Sequence, residues 1–237
     1  MKPRYICWDL DETLGYFRPG KKSEPLKGLK PLLERLQGEG MRHVVTTASP
    51  RIYAEAALRR TGLRGYIDAI FPDEVVVPKN VHKRYLPVAK SLGIDRYYAP
   101  DRMLVIGNDV MGGRDAPEDL PLVTILFPDA IKYHASVLGT LIVALSEHKS
   151  FWWSFETLLS KARDRRSNGI FQGGELEIDG VEFMIGHLAP NDLTFHAENL
   201  ILVSGAGEER RATIATEDEP VEVRVREIEE LQAAANF

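Results

Sequence analysis

Cysteine is nearly absent from this chain of 237 residues, with Cys7 the only one. That excludes a disulfide framework within the chain and any metal cluster built from cysteines. Cys7 lies in an apolar run, where a buried thiol that simply packs is the expected role. Long apolar runs are missing too: none approaches the ~18 residues that a membrane-spanning helix requires, and no membrane partner is expected. The opening Met1-Lys2-Pro3-Arg4 leads straight into a strand pattern with an acidic end, unlike a signal peptide, so the expected compartment is the cytoplasm. Basic residues run out in the last third. Residues 1–166 carry 26 Lys and Arg against 20 Asp and Glu, whereas residues 167–237 carry 4 against 15, and this switch points to a domain boundary near residues 150–172. The basic balance of the first part is mild, and no nucleic-acid partner is expected. Apolar residues at 44% and charged residues at 27% allow an ordinary globular core.

What is present in the first two-thirds is an alternation of strand and helix patterns. Tyr5–Trp8 reads as a strand, followed after a loop by a helix with Leu26, Leu29, Leu32, Leu33 and Leu36 on one face, ended by Gly38 and Gly40. His43–Thr46 is a second strand. Ser49 then suits an N-cap and Pro50 the first helical position, with the helix stopping at Gly62. A short strand at Ala69–Phe71, a helix carrying Val81, Tyr85, Val88, Ala89 and Leu92, a strand at Met103–Ile106, a strand at Leu122–Phe127 and a helix carrying Ile131, Ala135, Leu138, Ile142 and Leu145 complete the series. Continuously apolar strands between amphipathic helices imply a Rossmann-like α/β fold, a parallel sheet with helices on both faces. Polar residues gather at the strands' C-terminal ends, where open sheets of this kind bind ligands.

The richest stretch is Asp9-Leu10-Asp11-Glu12-Thr13-Leu14, directly after the first strand. Asp9 ends the strand facing a cleft, and Asp11, already in the turn, swings back toward the same point. Two carboxylates that close repel unless a cation lies between them or one holds a proton, and either outcome suits phosphoryl transfer.

This stretch resembles the first motif of the haloacid dehalogenase (HAD) superfamily, and three further motifs follow in the family's order: Thr47 after Val44-Val45-Thr46, Lys79 in Pro78-Lys79-Asn80, and Gly107-Asn108-Asp109 with Asp115 beyond. The likeness covers roughly residues 3–145, and its wording is similar to the small-capped branch holding the Asp-Leu-Asp-Glu-Thr-Leu protein phosphatases and the magnesium-dependent phosphatases. The resemblance implies a Mg²⁺-dependent phosphatase that hydrolyses a phosphomonoester through an aspartyl-phosphate. Asp9 would be the nucleophile and Asp11 the general acid and base, with its backbone carbonyl toward the metal. Thr47 and Lys79 would hold the phosphoryl oxygens. Mg²⁺ would bind Asp9, Asp11 and the fourth motif, through Asn108 or Asp109. Asp115 would anchor Lys79. Thr47 competes with Thr46 and Ser49 for its place, and Lys79 with Lys83. Only about 33 residues separate the first two motifs and about 31 the next two, too few for a full cap domain. The site should therefore be open to a phosphorylated small molecule or a phosphoprotein.

Three segments are expected: a catalytic domain over 1–148, an amphipathic helix and linker over 149–171, and a small antiparallel β-domain with a terminal helix over 172–237. In the last, Glu175–Ile178 and Val181–Ile185 flank Asp179-Gly180, a hairpin signal, and further strands are expected near Leu200–Val203, Arg211–Thr216 and Val221–Val225. The competing functional reading is a non-catalytic scaffold that presents this acidic β-domain to a partner.

Overall fold

The computed structural model describes residues 4–17, 22–77, 83–108, 115, 117, 119–126 and 134–162, and in the last third 171–178, 181–188, 194–195, 200–203 and 221–222. In chain order the elements are β1 (Arg4–Trp8), β2 (Gly15–Tyr16), β3 (Glu24–Pro25), α1 (Leu29–Gly38), β4 (Met41–Thr46), α2 (Arg51–Thr61), β5 (Ala69–Phe71), α3 (Asp73–Val76), α4 (Leu86–Ser91), α5 (Ala99–Arg102), β6 (Met103–Gly107), β7 (Val123–Leu126), α6 (Ala135–Ser146), α7 (Phe151–Lys161), β8 (Phe171–Ile178), β9 (Val181–Leu188), β10 (Thr194–Phe195), β11 (Leu200–Val203) and β12 (Val221–Glu222).

Strands β5, β4, β1, β6 and β7 lie side by side and parallel, with β1 in the middle. Alternation along the strands sorts their side chains onto two faces. Ile6 and Trp8 of β1, Val45 of β4, and Leu104 and Ile106 of β6 pack under α1, α2, α6 and α7. Cys7, Val44, Met103 and Val105 point the other way, into a cluster with Val76, Tyr85, Val88, Ala89 and Ala99. Both faces are thus covered, which is why these strands read as unbroken apolar runs. Cys7 is fully buried, and desolvation pushes its thiol far above the usual range, in keeping with a packing role. A buried polar pair sits on the first face: the Trp8 indole Nε1 donates to His43 Nδ1 at 3.1 Å, and His43 Nε2 reaches Leu33 O at 3.2 Å. Helix α2 stops where Gly62 takes the left-handed conformation, φ 68, that a glycine adopts at no steric cost.

The last third extends this sheet rather than standing wholly apart from it. β11 pairs antiparallel with β7, β9 runs parallel to β11, and β8 and β9 form the antiparallel hairpin. The whole order is β5-β4-β1-β6-β7-β11-β9-β8, with β10 and β12 a separate antiparallel pair. Phe151 and Phe155 of α7, with Phe183 and Ile185 of β9, are buried in the same cluster as β1 and β6. The hairpin turn Asp179-Gly180, the expected strand at 211–216 and the expected terminal helix lie outside the described residues. Among the described residues no helix is long and apolar enough to cross a membrane.

Two local expectations need correction. Ser49 is not the cap of α2: Pro50 occupies that position, with φ −60 and ψ 148 and no side-chain cap, and helix α2 begins at Arg51. The helix after β5 also starts later than its apolar spacing suggests. It begins at Leu86, because the Asp119 carboxylate accepts from the backbone N–H groups of Tyr85 (2.7 Å) and Leu86 (3.0 Å) and satisfies the start of the helix from a distant segment. Lys83 therefore precedes the helix instead of riding on its surface.

Candidate active site

β1 ends at Trp8, and the next residue, Asp9, is still tied to the sheet by its backbone N–H, which donates to Ile106 O at 2.8 Å. Its carboxylate, 9% exposed, meets the Lys83 ammonium, Nζ to Oδ1 2.5 Å. The same ammonium reaches Asp115 Oδ1 at 2.5 Å. Lys83 and Asp115 are each about as buried as a side chain can be, at 1%. One lysine thus serves two carboxylates, and the group carries a surplus negative charge in a desolvated place. Burial, with the Asp115 charge second, pushes the Asp9 carboxyl up to about 7 in spite of the lysine. Burial alone would pull Lys83 down, but Asp115 and Asp9 outweigh it and hold the ammonium charged.

Asp115 is also the link to the end of β6: its Oδ2 accepts from the Asn108 backbone N–H at 2.9 Å. The approach depends on Gly107. A Cβ there would lie 2.5 Å from both Cβ and Cγ of Asp115, closer than non-bonded carbons come. Gly107→Ala should therefore drive Asp115 off Lys83 and Asn108 together, lowering stability by about 1–3 kcal/mol. A urea titration checks it, with an unchanged midpoint as the contrary result.

After Asp9 the chain turns, with Leu14 N donating to Leu10 O at 3.1 Å and Glu12 at φ 63, a left-handed conformation that few non-glycine residues adopt. The turn carries the Asp11 carbonyl toward Asn108. Asn108 Oδ1 lies 3.1 Å from Asp11 O, 3.2 Å from Asp9 Oδ2 and 3.1 Å from Thr13 Oγ1, while its Nδ2 donates to Glu12 Oε2 at 3.3 Å. With the amide turned over, the nitrogen would donate to all three of the first group. With the oxygen inward, three acceptors from Asp9, Asp11 and Asn108 face one point, and a cation is what would hold them there. Neighbouring ligands of an octahedral ion with metal–oxygen distances of about 2.1 Å stand about 3 Å apart, close to the spacings seen. One carboxylate, one amide and one backbone carbonyl, with waters completing the shell, is the kind of donor set Mg²⁺ takes. Among the described residues no three His, Cys, Asp or Glu side chains converge to hold a metal by themselves.

The Asp11 carboxylate points elsewhere. Ser49 Oγ donates to its Oδ2 at 3.2 Å and the Tyr53 hydroxyl to its Oδ1 at 2.7 Å. Thr47, 2% exposed, directly follows β4; its backbone N–H donates to Phe71 O at 3.0 Å and its Oγ1 accepts from Ser49 N at 3.0 Å. Thr46 is turned to the opposite face, where its hydroxyl meets Trp8 O and the Tyr85 hydroxyl, so it does not share the site.

Of the residues singled out from the sequence, the structure brings together Asp9, the Asp11 carbonyl and Asn108. Lys79 and Asp109 lie outside the described residues. The lysine found on Asp9 is Lys83, and Asp115, expected to anchor Lys79, holds Lys83. Tyr53 and Glu12 went unremarked in the sequence. Tyr53 had one available signal: it stands in the first turn of the helix that follows Thr47, the turn nearest the strand ends.

A parallel sheet with covered faces, its acidic and basic groups converging past the C-terminal ends of β1 and β6, is the layout in which open α/β sheets bind ligands. Residues 6–116 match the family model described as haloacid dehalogenase-like hydrolase. No curated protein matches the chain. Solved structures similar to it include an uncharacterized protein from Listeria monocytogenes serotype 4b (19% identity, 44% of this chain and 67% of that one, TM-score 0.36). A HAD family hydrolase from Deinococcus radiodurans R1 with bound phosphate and sodium matches at 17% identity over 48% of this chain and 76% of that one, TM-score 0.39. A 3-deoxy-D-manno-octulosonate 8-phosphate phosphatase from Moraxella catarrhalis matches at 14% identity over 44% and 57%, TM-score 0.30.

Proposed function

We propose that this hydrolase is a Mg²⁺-dependent phosphatase that cleaves a phosphomonoester through an aspartyl-phosphate on Asp9. The observation that carries the reading is the convergence of Asp9, Lys83, the Asp11 carbonyl and Asn108 at the ends of two adjacent strands. A scaffold that merely presents a surface has no use for a lysine buried between two carboxylates beside a third cluster of oxygens. In the first half-reaction an Asp9 carboxylate oxygen attacks phosphorus, the phosphorus–ester oxygen bond breaks, and the leaving oxygen takes a proton from Asp11. In the second, water attacks the aspartyl-phosphate, gives its proton to Asp11, and the bond from phosphorus to Asp9 breaks. Thr47 and Lys83 would hold the phosphoryl oxygens, with the ammonium offsetting charge that builds there in the transition state. Asp9, the Asp11 carbonyl and Asn108 would hold Mg²⁺, which supplies charge neutralisation at the phosphoryl group.

The segments between the strands that carry the site are short: the β2–β3 hairpin and α1 before β4, then α2, β5 and α3 before Lys83. Neither is large enough to fold as a lid of domain size. This supports a phosphorylated small molecule or a phosphoprotein as substrate.

The test is hydrolysis of an aryl phosphate by full-length protein freed of metal with a chelator. It should be inactive until Mg²⁺ is restored, and Asn108→Ala should need at least about tenfold more Mg²⁺ for half-maximal rate, the low end of the usual cost of disturbing a metal shell. Activity indifferent to chelator and to Asn108 would overturn the metal assignment, and a wild type inert on every ester tried would favour the non-catalytic scaffold.

A further inference from the structure

Asp11 is beyond the reach of the sheet. β1 has ended three residues earlier and the chain is in a turn, so the direction of the Asp11 carboxyl is set by what it bonds rather than by strand alternation. The residue uses its two ends separately: its carbonyl faces Asn108, and its carboxylate is taken by Ser49 and Tyr53. These hydroxyls come from the segment after β4, on the far side of Thr47. The Tyr53 hydroxyl also lies 2.8 Å from the carbonyl oxygen of Phe17, whose side chain is 3% exposed in the loop that leaves β2. One phenol therefore pins the Asp11 carboxyl, the first turn of α2 and the hairpin loop to a single point. Packing alone would be served as well by phenylalanine; what the hydroxyl adds is one donor proton within reach of two acceptors, the Asp11 carboxylate and Phe17 O. A phenol donates to a carboxylate and accepts from a carboxylic acid, so the contact survives both halves of a proton-transfer cycle. Burial, with the Asp11 hydrogen bond second, pushes the Tyr53 phenol well above its ordinary range, which keeps it a hydroxyl.

We infer that Tyr53, assisted by Ser49, is a positioning residue for the proton-transfer step: it holds the Asp11 carboxyl on the leaving-group side while the same residue's backbone carbonyl stays with Asn108. The inference rests on the phosphatase reading above. It concerns only steps in which the leaving oxygen needs a proton. Esters of acidic phenols depart without much help, whereas alkyl esters depend on the acid, whose contribution is typically about 10²- to 10⁴-fold.

The experiment is a leaving-group series, from p-nitrophenyl phosphate to a primary alkyl phosphate, with saturating Mg²⁺ and full-length wild type, Tyr53→Phe and Ser49→Ala. The expected result is a steeper dependence of kcat on leaving-group acidity. Tyr53→Phe should lose about 100-fold more on the alkyl ester than on the p-nitrophenyl ester, with KM little changed. Ser49→Ala, at a half-buried position, should shift in the same direction by a smaller factor and keeps the question decidable if Tyr53→Phe folds poorly. Equal losses across the series in both variants would mark a structural role and overturn the inference while leaving the phosphatase reading intact, as would no loss at all. A wild type inert on every ester would overturn both.

Discussion

Asp9→Asn is expected to abolish phosphomonoester hydrolysis, by at least about 10³-fold in kcat, while leaving the protein as stable as wild type or more so. The amide keeps the shape of the carboxylate and removes its nucleophilic oxygen, so no aspartyl-phosphate can form. Stability should hold because of the charge count at the site. Asp9 and Asp115 share the single Lys83 ammonium, and Asp9, buried with a like charge nearby, is the less comfortable of the two. Exchanging it for a neutral group leaves Lys83 paired with Asp115, in a one-to-one arrangement. The measurement is kcat on an aryl phosphate together with a thermal melt in the absence of metal. Loss of activity with an unmoved or raised midpoint supports a nucleophile. Activity retained would discard the mechanism, and a midpoint that falls along with activity would mean that Asp9 serves chiefly as the partner of Lys83.

How far the sequence carried can be judged from particular elements. The strands were the most legible part. Ala69–Phe71 and Leu200–Val203 fall where their apolar runs end, and β6 overshoots its reading only by Gly107. Strands buried on both faces leave an unbroken apolar signature that needs no knowledge of their neighbours. The order of the carboxylates and of the amide at β6 was legible for the same reason, since each follows directly on a strand. What could not be read was anything decided across the chain. Val81, Tyr85, Val88, Ala89 and Leu92 have helical spacing, but the helix starts at Leu86 because Asp119, more than thirty residues away in sequence, caps it. That shift converts Lys83 from a surface position on a helix to a buried one on Asp9. Ser49 has the composition of an N-cap, yet its hydroxyl is claimed by Asp11 in another loop. Local propensity describes what a residue does when nothing better is in reach, and at the site something better was in reach. The last third illustrates a different limit: hairpin chemistry predicts β8 and β9, but nothing local says that β11 would close against β7 and continue the main sheet.

Lys83→Met should be the most damaging single change to the fold among the site residues, and it should remove activity as well. Methionine fills much of the same volume but leaves Asp9 and Asp115 facing each other with no charge between them, both desolvated and Asp115 almost completely so. Removing one partner of a buried ion pair typically costs about 3–5 kcal/mol, because an uncompensated charge remains. The pair itself is weak evidence of net stabilisation, since desolvation of both groups offsets much of the attraction. That asymmetry yields the discriminating experiment. In the double variant Lys83→Met with Asp115→Asn, one buried carboxylate has gone and the other, Asp9, no longer faces a like charge, so a large part of the lost stability should return. Activity should not return, because the ammonium that would offset charge on the phosphoryl oxygens is still missing. Urea unfolding and kcat on the two variants read the two effects separately. A single variant as stable as wild type would show that the carboxylates find other compensation, and a double variant that recovers activity along with stability would assign Lys83 to the scaffold rather than to the chemistry.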